Sequence, residues 1–328
     1  MLRLQKRISG WNLPTTSQVA GMFVWPVALG LMLWLGSEAR SEQASFNFIS
    51  IDFPGATLTR TTGINSAGQI VGRYLDSSAR FHGFLLSEGT YSSMDVPGAL
   101  FTIAHGINDA GQIVGRYGDT RGTHGFVLRE GSFDTINFPG AVYTAVAQIN
   151  SSGDIAGTYI DGGGAQHGFS LIEDTFKSID FPGASFSEAI GINSEGVISG
   201  VYSFVSRLET ANNNHGFVLD HGEFTSFDFP DAATTFGWKI DERGQVVGCW
   251  ADANGVVRGF LRNRGGSFVT VDFPGTTYSY ASAMNEHGAI VGTYIDAGDK
   301  THGYLATRSR REPNSHEEDL RVLTSGKR

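Results

Sequence analysis

Five histidines stand before a Gly-Phe or Gly-Tyr pair, His82, His124, His167, His215 and His302, and Arg258 holds the equivalent sixth place. Imidazoles in that number invite a metal-binding reading, which would need three or four of them about 2 Å from one ion. Their spacing argues against it. They come once per repeated segment, so they occupy equivalent points of different segments and stay apart. Each is expected to fix a loop by hydrogen bonding within its own segment. Asp76, Asp119, Asp161, Asp252 and Asp296 each follow an aromatic residue by two places. They lack the ligand spacing of a calcium loop and suit turn capping. Neither a metal nor any other cofactor is expected.

Catalytic signatures are missing from the sequence. It holds no Gly-x-Ser-x-Gly elbow, no His-Glu-x-x-His, no phosphate loop and no paired-cysteine metal site. Carboxylate pairs leave no local motif, so this excludes little about hydrolysis of glycosidic bonds. Cys249 is the single cysteine, so no intrachain disulfide can form. Asn150-Ser151-Ser152 fits a glycosylation acceptor but coincides with a repeated turn.

The elements that carry these residues repeat. The first residue of an Asp-Phe-Pro-Gly-like phrase falls at Asp52, Asp95, Asn137, Asp180, Asp228 and Asp272, in steps of 43, 42, 43, 48 and 44 residues. That period suits four-stranded propeller blades. Short β-branched and aromatic runs, such as 46–53, 58–64, 69–74 and 82–86, alternate with Gly, Pro, Asn and Asp, which predicts strands throughout. Asn65-Ser66-Ala67-Gly68 and its five counterparts predict a tight hairpin with a bulge. Phe53-Pro54-Gly55 predicts a type II turn.

The two ends are out of phase. The chain enters on 46–53, which resembles the last strand of a unit, and leaves after His302-Gly303-Tyr304-Leu305, a third strand with no fourth behind it. Pairing the first beside the last predicts an all-β, six-bladed β-propeller closed by the N-terminal strand, with no edge left uncovered. An open β-solenoid or prism is the alternative. Ile64 and Phe84, each with a counterpart in every repeat, are the expected core.

Residues 1–39 carry Arg3, Lys6 and Arg7, then an apolar run from Met22 to Gly36, then Ser37-Glu38-Ala39. This pattern predicts a signal peptide cut after Ala39 and a secreted, periplasmic or cell-surface protein. An uncleaved anchor is the alternative. Residues 40–306 form the expected repeat domain and 307–328 a charged, disordered tail. The span 40–306 holds 15 bases and 28 acids, a net charge of −13. Such a body disfavours nucleic acid and anionic membrane. No membrane association is expected after cleavage, and a monomer is expected.

Function should sit where the repeats stop agreeing. The fourth repeat inserts 203–214, and the fifth replaces Gly by Lys239, Asn by Asp241, Tyr by Trp250 and His by Arg258. Along the first strand of each repeat, one position reads Arg60, Ile103, Ala145, Glu188, Phe236, Tyr280. Two places on it reads Thr62, His105, Ala147, Ile190, Trp238, Ser282. Alternation puts both rows on one face, bordering the channel. Arg60, His105, Glu188, Trp238, Lys239 and Tyr280 are therefore the candidate ligand-binding residues; no catalytic residue is assigned.

The phrases Gly-Ile-Asn-x-x-Gly-Gln-Ile-Val-Gly and His-Gly-Phe resemble the bacterial extracellular repeats called the HAF family, over residues 46–307. The family's triplet is His-Ala-Phe, whereas Gly stands in the middle here and Arg258 replaces one His. The resemblance implies export and a propeller-like array, and brings no reaction. A non-enzymatic binding module for glycan or an envelope component is expected. The alternative is a glycan-processing lyase or hydrolase with its site at the channel mouth. N-terminal sequencing of exported protein should begin at Arg40; Met1 retained in a membrane fraction would favour the anchor.

Overall fold

The computed structural model describes residues 45–205 and 213–309. The expected signal peptide, most of the expected tail and the middle of the 203–214 insertion lie outside these residues. Among the described residues every regular element is a strand. β1 (Phe46–Ile51) comes first. The first repeat then gives β2 (Leu58–Ile64), β3 (Ile70–Leu75), β4 (Phe81–Ser87) and β5 (Thr90–Met94), and the second β6 (Phe101–Ile107), β7 (Ile113–Asp119), β8 (Gly122–Arg129) and β9 (Ser132–Ile136). The third gives β10 (Tyr143–Ile149), β11 (Ile155–Ile160), β12 (Gln166–Ile172) and β13 (Thr175–Ile179), and the fourth β14 (Phe186–Ile192), β15 (Ile198–Ser203), β16 (His215–Asp220) and β17 (Glu223–Phe227). The fifth gives β18 (Thr234–Ile240), β19 (Val246–Ala251), β20 (Val257–Arg262) and β21 (Phe268–Val271). The sixth supplies three strands, β22 (Ser279–Met284), β23 (Ile290–Ile295) and β24 (Thr301–Arg308).

The strands form five sheets. Four have four strands each, and a fifth has eight because the second and third repeats are joined by one parallel pair, Tyr143 with Thr123. Within each repeat the strands run antiparallel in chain order. The sixth repeat takes its fourth strand from the start of the chain, in the order β1-β24-β23-β22, with Phe46 opposite Arg308 and Ile51 opposite Gly303. β24 thus continues through Thr307 and Arg308, the first two residues of the expected tail.

The repeated phrases are explained by local bonding. Asn65 Oδ1 accepts from the N–H of Gln69 at 2.9 Å, the N–H of Gly68 donates to Asn65 O, and Gly68 takes φ +77°, as a bulged hairpin requires. The same asparagine reaches out of its own repeat, its Nδ2 donating to Asn108 O at 3.2 Å. Asn108 does so to Asn150 O, Asn150 to Asn193 O and Asn193 to Asp241 O, at 2.9, 2.9 and 3.4 Å. Asn285 donates to Asn65 O at 3.0 Å. Asp241, an acceptor only, is where the relay of side-chain donors breaks.

Phe53, Tyr74 and His82 stack in a column, with centroids 3.7 and 5.0 Å apart. His82 lies between two carboxylates, Nδ1 being 2.8 Å from Asp95 and Nε2 3.2 Å from Asp76. His302 is held likewise by Asp52 and Asp296 at 2.7 and 3.1 Å. Asp76 Oδ1 also accepts from the N–H groups of Ser78 and Arg80, the turn capping its position suggested. In the fifth repeat Arg258 substitutes for the histidine, lying 5.6 Å over the Trp250 ring and pairing with Asp272 at 3.2 Å. These residues hold turns.

Phe84, Phe126, Phe169, Phe217, Phe260 and Tyr304 are fully buried, and each contributes about 1.5–3 kcal/mol. Tyr304 keeps its polar end satisfied by donating to Tyr280 O at 3.0 Å. In β1, Phe48 meets Phe273 and Tyr304 edge-on, each at 5.3 Å, whereas Ile49 points to solvent. If β1 supports the sixth repeat, Phe48→Ala should cost about 1–2 kcal/mol, less than full burial because the ring is only partly buried. Ile49→Ala should stay within about 0.5 kcal/mol. Urea titrations giving equal losses would remove β1 from the stability of the array.

Candidate functional site

The first strand of every repeat contains an irregularity of register. Pairing skips Thr62, His105, Ala147, Ile190 and Ser282, and in the fifth repeat it skips both Trp238 and Lys239. A bulge leaves its extra residue unpaired and re-aims the side chain. The skipped residues, one from each repeat with Lys239 beside Trp238, line one cavity of about 300 Å³, to which Arg60, Arg73, Tyr278 and Tyr280 contribute as well. An adjoining cavity of about 540 Å³ shares His105, Ala147 and Ile190 with it and adds Arg116, Tyr143, Gln166 and Glu188.

Five of the six candidates, Arg60, His105, Trp238, Lys239 and Tyr280, therefore lie on the first cavity, and Glu188 lies on the second. Tyr280 stands edge-on to Trp238 at 4.9 Å, with Tyr278 5.9 Å from Tyr280 and Phe236 6.5 Å from Trp238, so one wall is aromatic. Gln166 donates to Glu188. Arg116 donates to the Tyr143 hydroxyl and lies over that ring.

Arg73 and Arg116 are absent from a reading confined to first strands. They stand directly opposite Arg60 and Ile103 in the ladders, hence on the same face. The equivalent position reads Arg73, Arg116, Thr158, Val201, Cys249, Thr293, a row as variable as the two already singled out. Following the pairing across the hairpin would have found it.

Gln148 was also missed. It and Lys239 occupy a place held elsewhere by Gly63, Gly106, Gly191 and Ala283. The Lys239 ammonium donates to Ala147 O, Gln148 Nε2 donates to Ile240 O at 3.3 Å, and the N–H of Ile192 donates to Gln148 Oε1 at 3.3 Å. The two long side chains tie the third, fourth and fifth repeats together at the end of the cavity nearest the asparagine turns. Lys239 thus has a structural task beside its place in the lining. At the asparagine turns themselves a smaller cavity of about 70 Å³ is lined by Asn65, Asn108, Gln148, Asn150, Asp241 and Asn285 among others.

Electrostatics in the main cavity are one-sided. Burial lowers the His105 pKa well below its ordinary value, helped by Arg116, Arg73 and Lys239, so its imidazole is neutral at physiological pH. Burial alone pushes Lys239 down to about 7. Cys249 is buried and its pKa is raised by desolvation, which makes its thiol a poor nucleophile. Among the described residues no group of three or more His, Cys, Asp or Glu could hold a metal ion.

No protein-family model and no curated protein matches the sequence. Solved structures resemble it in fold. TolB from Acinetobacter baumannii matches with a TM-score of 0.52 at 10% identity, over 73% of this chain and 63% of TolB, so this chain spans a little under two thirds of that protein. AofleA from Arthrobotrys oligospora gives 0.51 at 10% identity, over 83% and 89% of the two chains. The SapL1 lectin, solved with α-methyl fucoside, gives 0.50 at 10% identity, over 79% and 98%. At such identity the likeness concerns fold alone, an all-β array of propeller type.

The lowered pKa of Lys239 predicts a pH dependence. Between about 7 and its ordinary 10.5 the unfolded chain carries a proton that the folded chain does not, so this residue makes stability rise with pH across that window. Below about pH 7 the full penalty of burying the charge applies. Lys239→Met should therefore gain most over the parent near pH 6, and the gain should shrink toward pH 10.5. Denaturant midpoints differing by the same amount at both ends would show that the ammonium is not desolvated.

Proposed function

We propose that this chain is a six-bladed β-propeller, closed by β1 on β24, that serves outside the cytoplasm as a non-enzymatic carbohydrate-binding module. Its ligand would sit in the cavity at the first strands. The ring is supported by the donation from Asn285 to Asn65 O and by the β1–β24 pairing, both of which join the last repeat to the first part of the chain. It is supported too by the supply of cavity residues from all six repeats. The resemblance to HAF repeats and the signal-like start favour export, and a single ring needs no second copy.

One observation carries the binding reading. Trp238 and Tyr280 form an aromatic wall beside polar and cationic side chains in a concave site, the combination that stacks on sugar faces while orienting hydroxyls. A lectin of similar fold binds a methyl fucoside, which makes saccharides the first class to test. On a glycan array the mature protein should retain a saccharide, and Trp238→Ala should weaken it by about 1–3 kcal/mol without unfolding the chain. Unchanged affinity would move the site away from this cavity. A lyase or hydrolase would instead put Glu188 to work as acid or base, so Glu188→Gln would abolish turnover while leaving binding intact.

A further inference from the structure

Arg60 and Arg73 both line the cavity, and among the described residues the fold gives neither an ion-pair partner. Arg60 and Arg73 stand directly opposite each other in the β2–β3 ladder, where like charges repel. The Nε atoms of Arg60, Arg73 and Arg116 are buried without a hydrogen-bond partner, and none of the three joins an ion pair among the described residues. A buried donor left without a partner is costly, and folded chains normally satisfy it. Arg73 is held down to about 10, first by burial, with Arg60 and Arg116 adding to the effect and Tyr280 opposing it. This cluster sits inside a body whose net charge is −13 over residues 40–306. Among the described residues the arginine ion pairs are those of Arg80, Arg121, Arg129 and Arg258, and neither Arg60 nor Arg73 takes part in one.

We propose that the cavity binds an anionic saccharide, whose acidic group pairs with Arg60 and Arg73 and whose ring lies against Trp238 and Tyr280. The proposal rests on the carbohydrate-binding reading above and names the class of ligand. Guanidinium forks match carboxylate, sulfate and phosphate oxygens in geometry, and charge-assisted bonds of this kind are about twice as strong as neutral ones. A neutral sugar leaves the repulsion between Arg60 and Arg73 in place; an acidic one removes it. His105, neutral beside them, adds no charge to the cluster and is available for a hydroxyl.

The test uses the mature chain on an array carrying uronate, sialate, sulfated and phosphorylated saccharides beside their neutral counterparts, followed by calorimetry on the tightest binder at low and high salt. Acidic members should bind at least about 10-fold more tightly than their neutral counterparts, and salt should weaken them. The carboxylate arms against the sulfate and phosphate arms tell which acid is taken. Arg73→Gln should lower affinity about 10-fold or more, while the unliganded variant keeps or gains thermal stability through relief of the like-charge pair. Arg60→Gln should behave the same way and serves if the first variant does not fold. Acidic and neutral members binding equally, with loss in Trp238→Ala but none in Arg73→Gln, would overturn the anionic assignment and leave the carbohydrate reading standing. No binding by any saccharide would overturn both. Inorganic sulfate binding as tightly as the best saccharide would overturn the sugar contact and leave a simple anion site.

Discussion

In each repeat one glycine in the second strand allows the backbones and an aromatic ring to meet at a distance no side chain would permit. A Cβ on Gly72 would lie 2.1 Å from Arg60 O and 2.7 Å from the Phe84 ring, and a Cβ on Gly115, Gly157, Gly200, Gly248 or Gly292 would meet the equivalent carbonyl at 1.9–2.4 Å. The ring therefore lies across the second strand with nothing between. That contact keys three strands at once, because the glycine pairs with the aromatic residue on one side and faces the first strand on the other. It also fixes what comes next in the chain. The residue after the glycine, Arg73 in the first repeat and Arg116 in the second, is forced onto the opposite face of the strand, toward the cavity.

The molecule thus divides its residues by row. Rows that hold turns, columns of stacked rings and the glycine contact are nearly invariant among repeats, since each solves the same packing problem. Rows released by the bulges are not held to one packing arrangement and differ at every step. They bring a cation from one repeat, a tryptophan from another and a small side chain from a third into one space. Similar segments thus line one cavity with unlike side chains.

Much of this was legible in the sequence. Asn65 and Gly68 announced the hairpin, the period announced four strands, and the phase of 46–53 announced the strand that pairs with β24. Most residues of the two candidate rows line the two cavities, but alternation was an incomplete reason: Thr62, Trp238 and their counterparts face the cavity from within bulges. Arg73 and Arg116 went unread because their significance arises across a ladder, between residues 13 apart in sequence but opposite in space. Gln148 went unread because its partners, Ile192 and Ile240, belong to other repeats, and no local pattern records a contact of that range.

The β1–β24 pairing bears on how the chain reaches this state. Among the described strands β1 is made first and its partner β24 last, and the pairing of Phe46 with Arg308 spans nearly the whole domain. Hairpins such as β2–β3 can form as soon as they emerge, since they close short loops. β1 must wait, an unpaired strand with Phe46 and Phe48 uncovered, until synthesis delivers residue 308. The interval is when the chain is most open to mispairing with a neighbouring copy. That interval cannot close before the remaining 257 residues from Asp52 to Arg308 have been made.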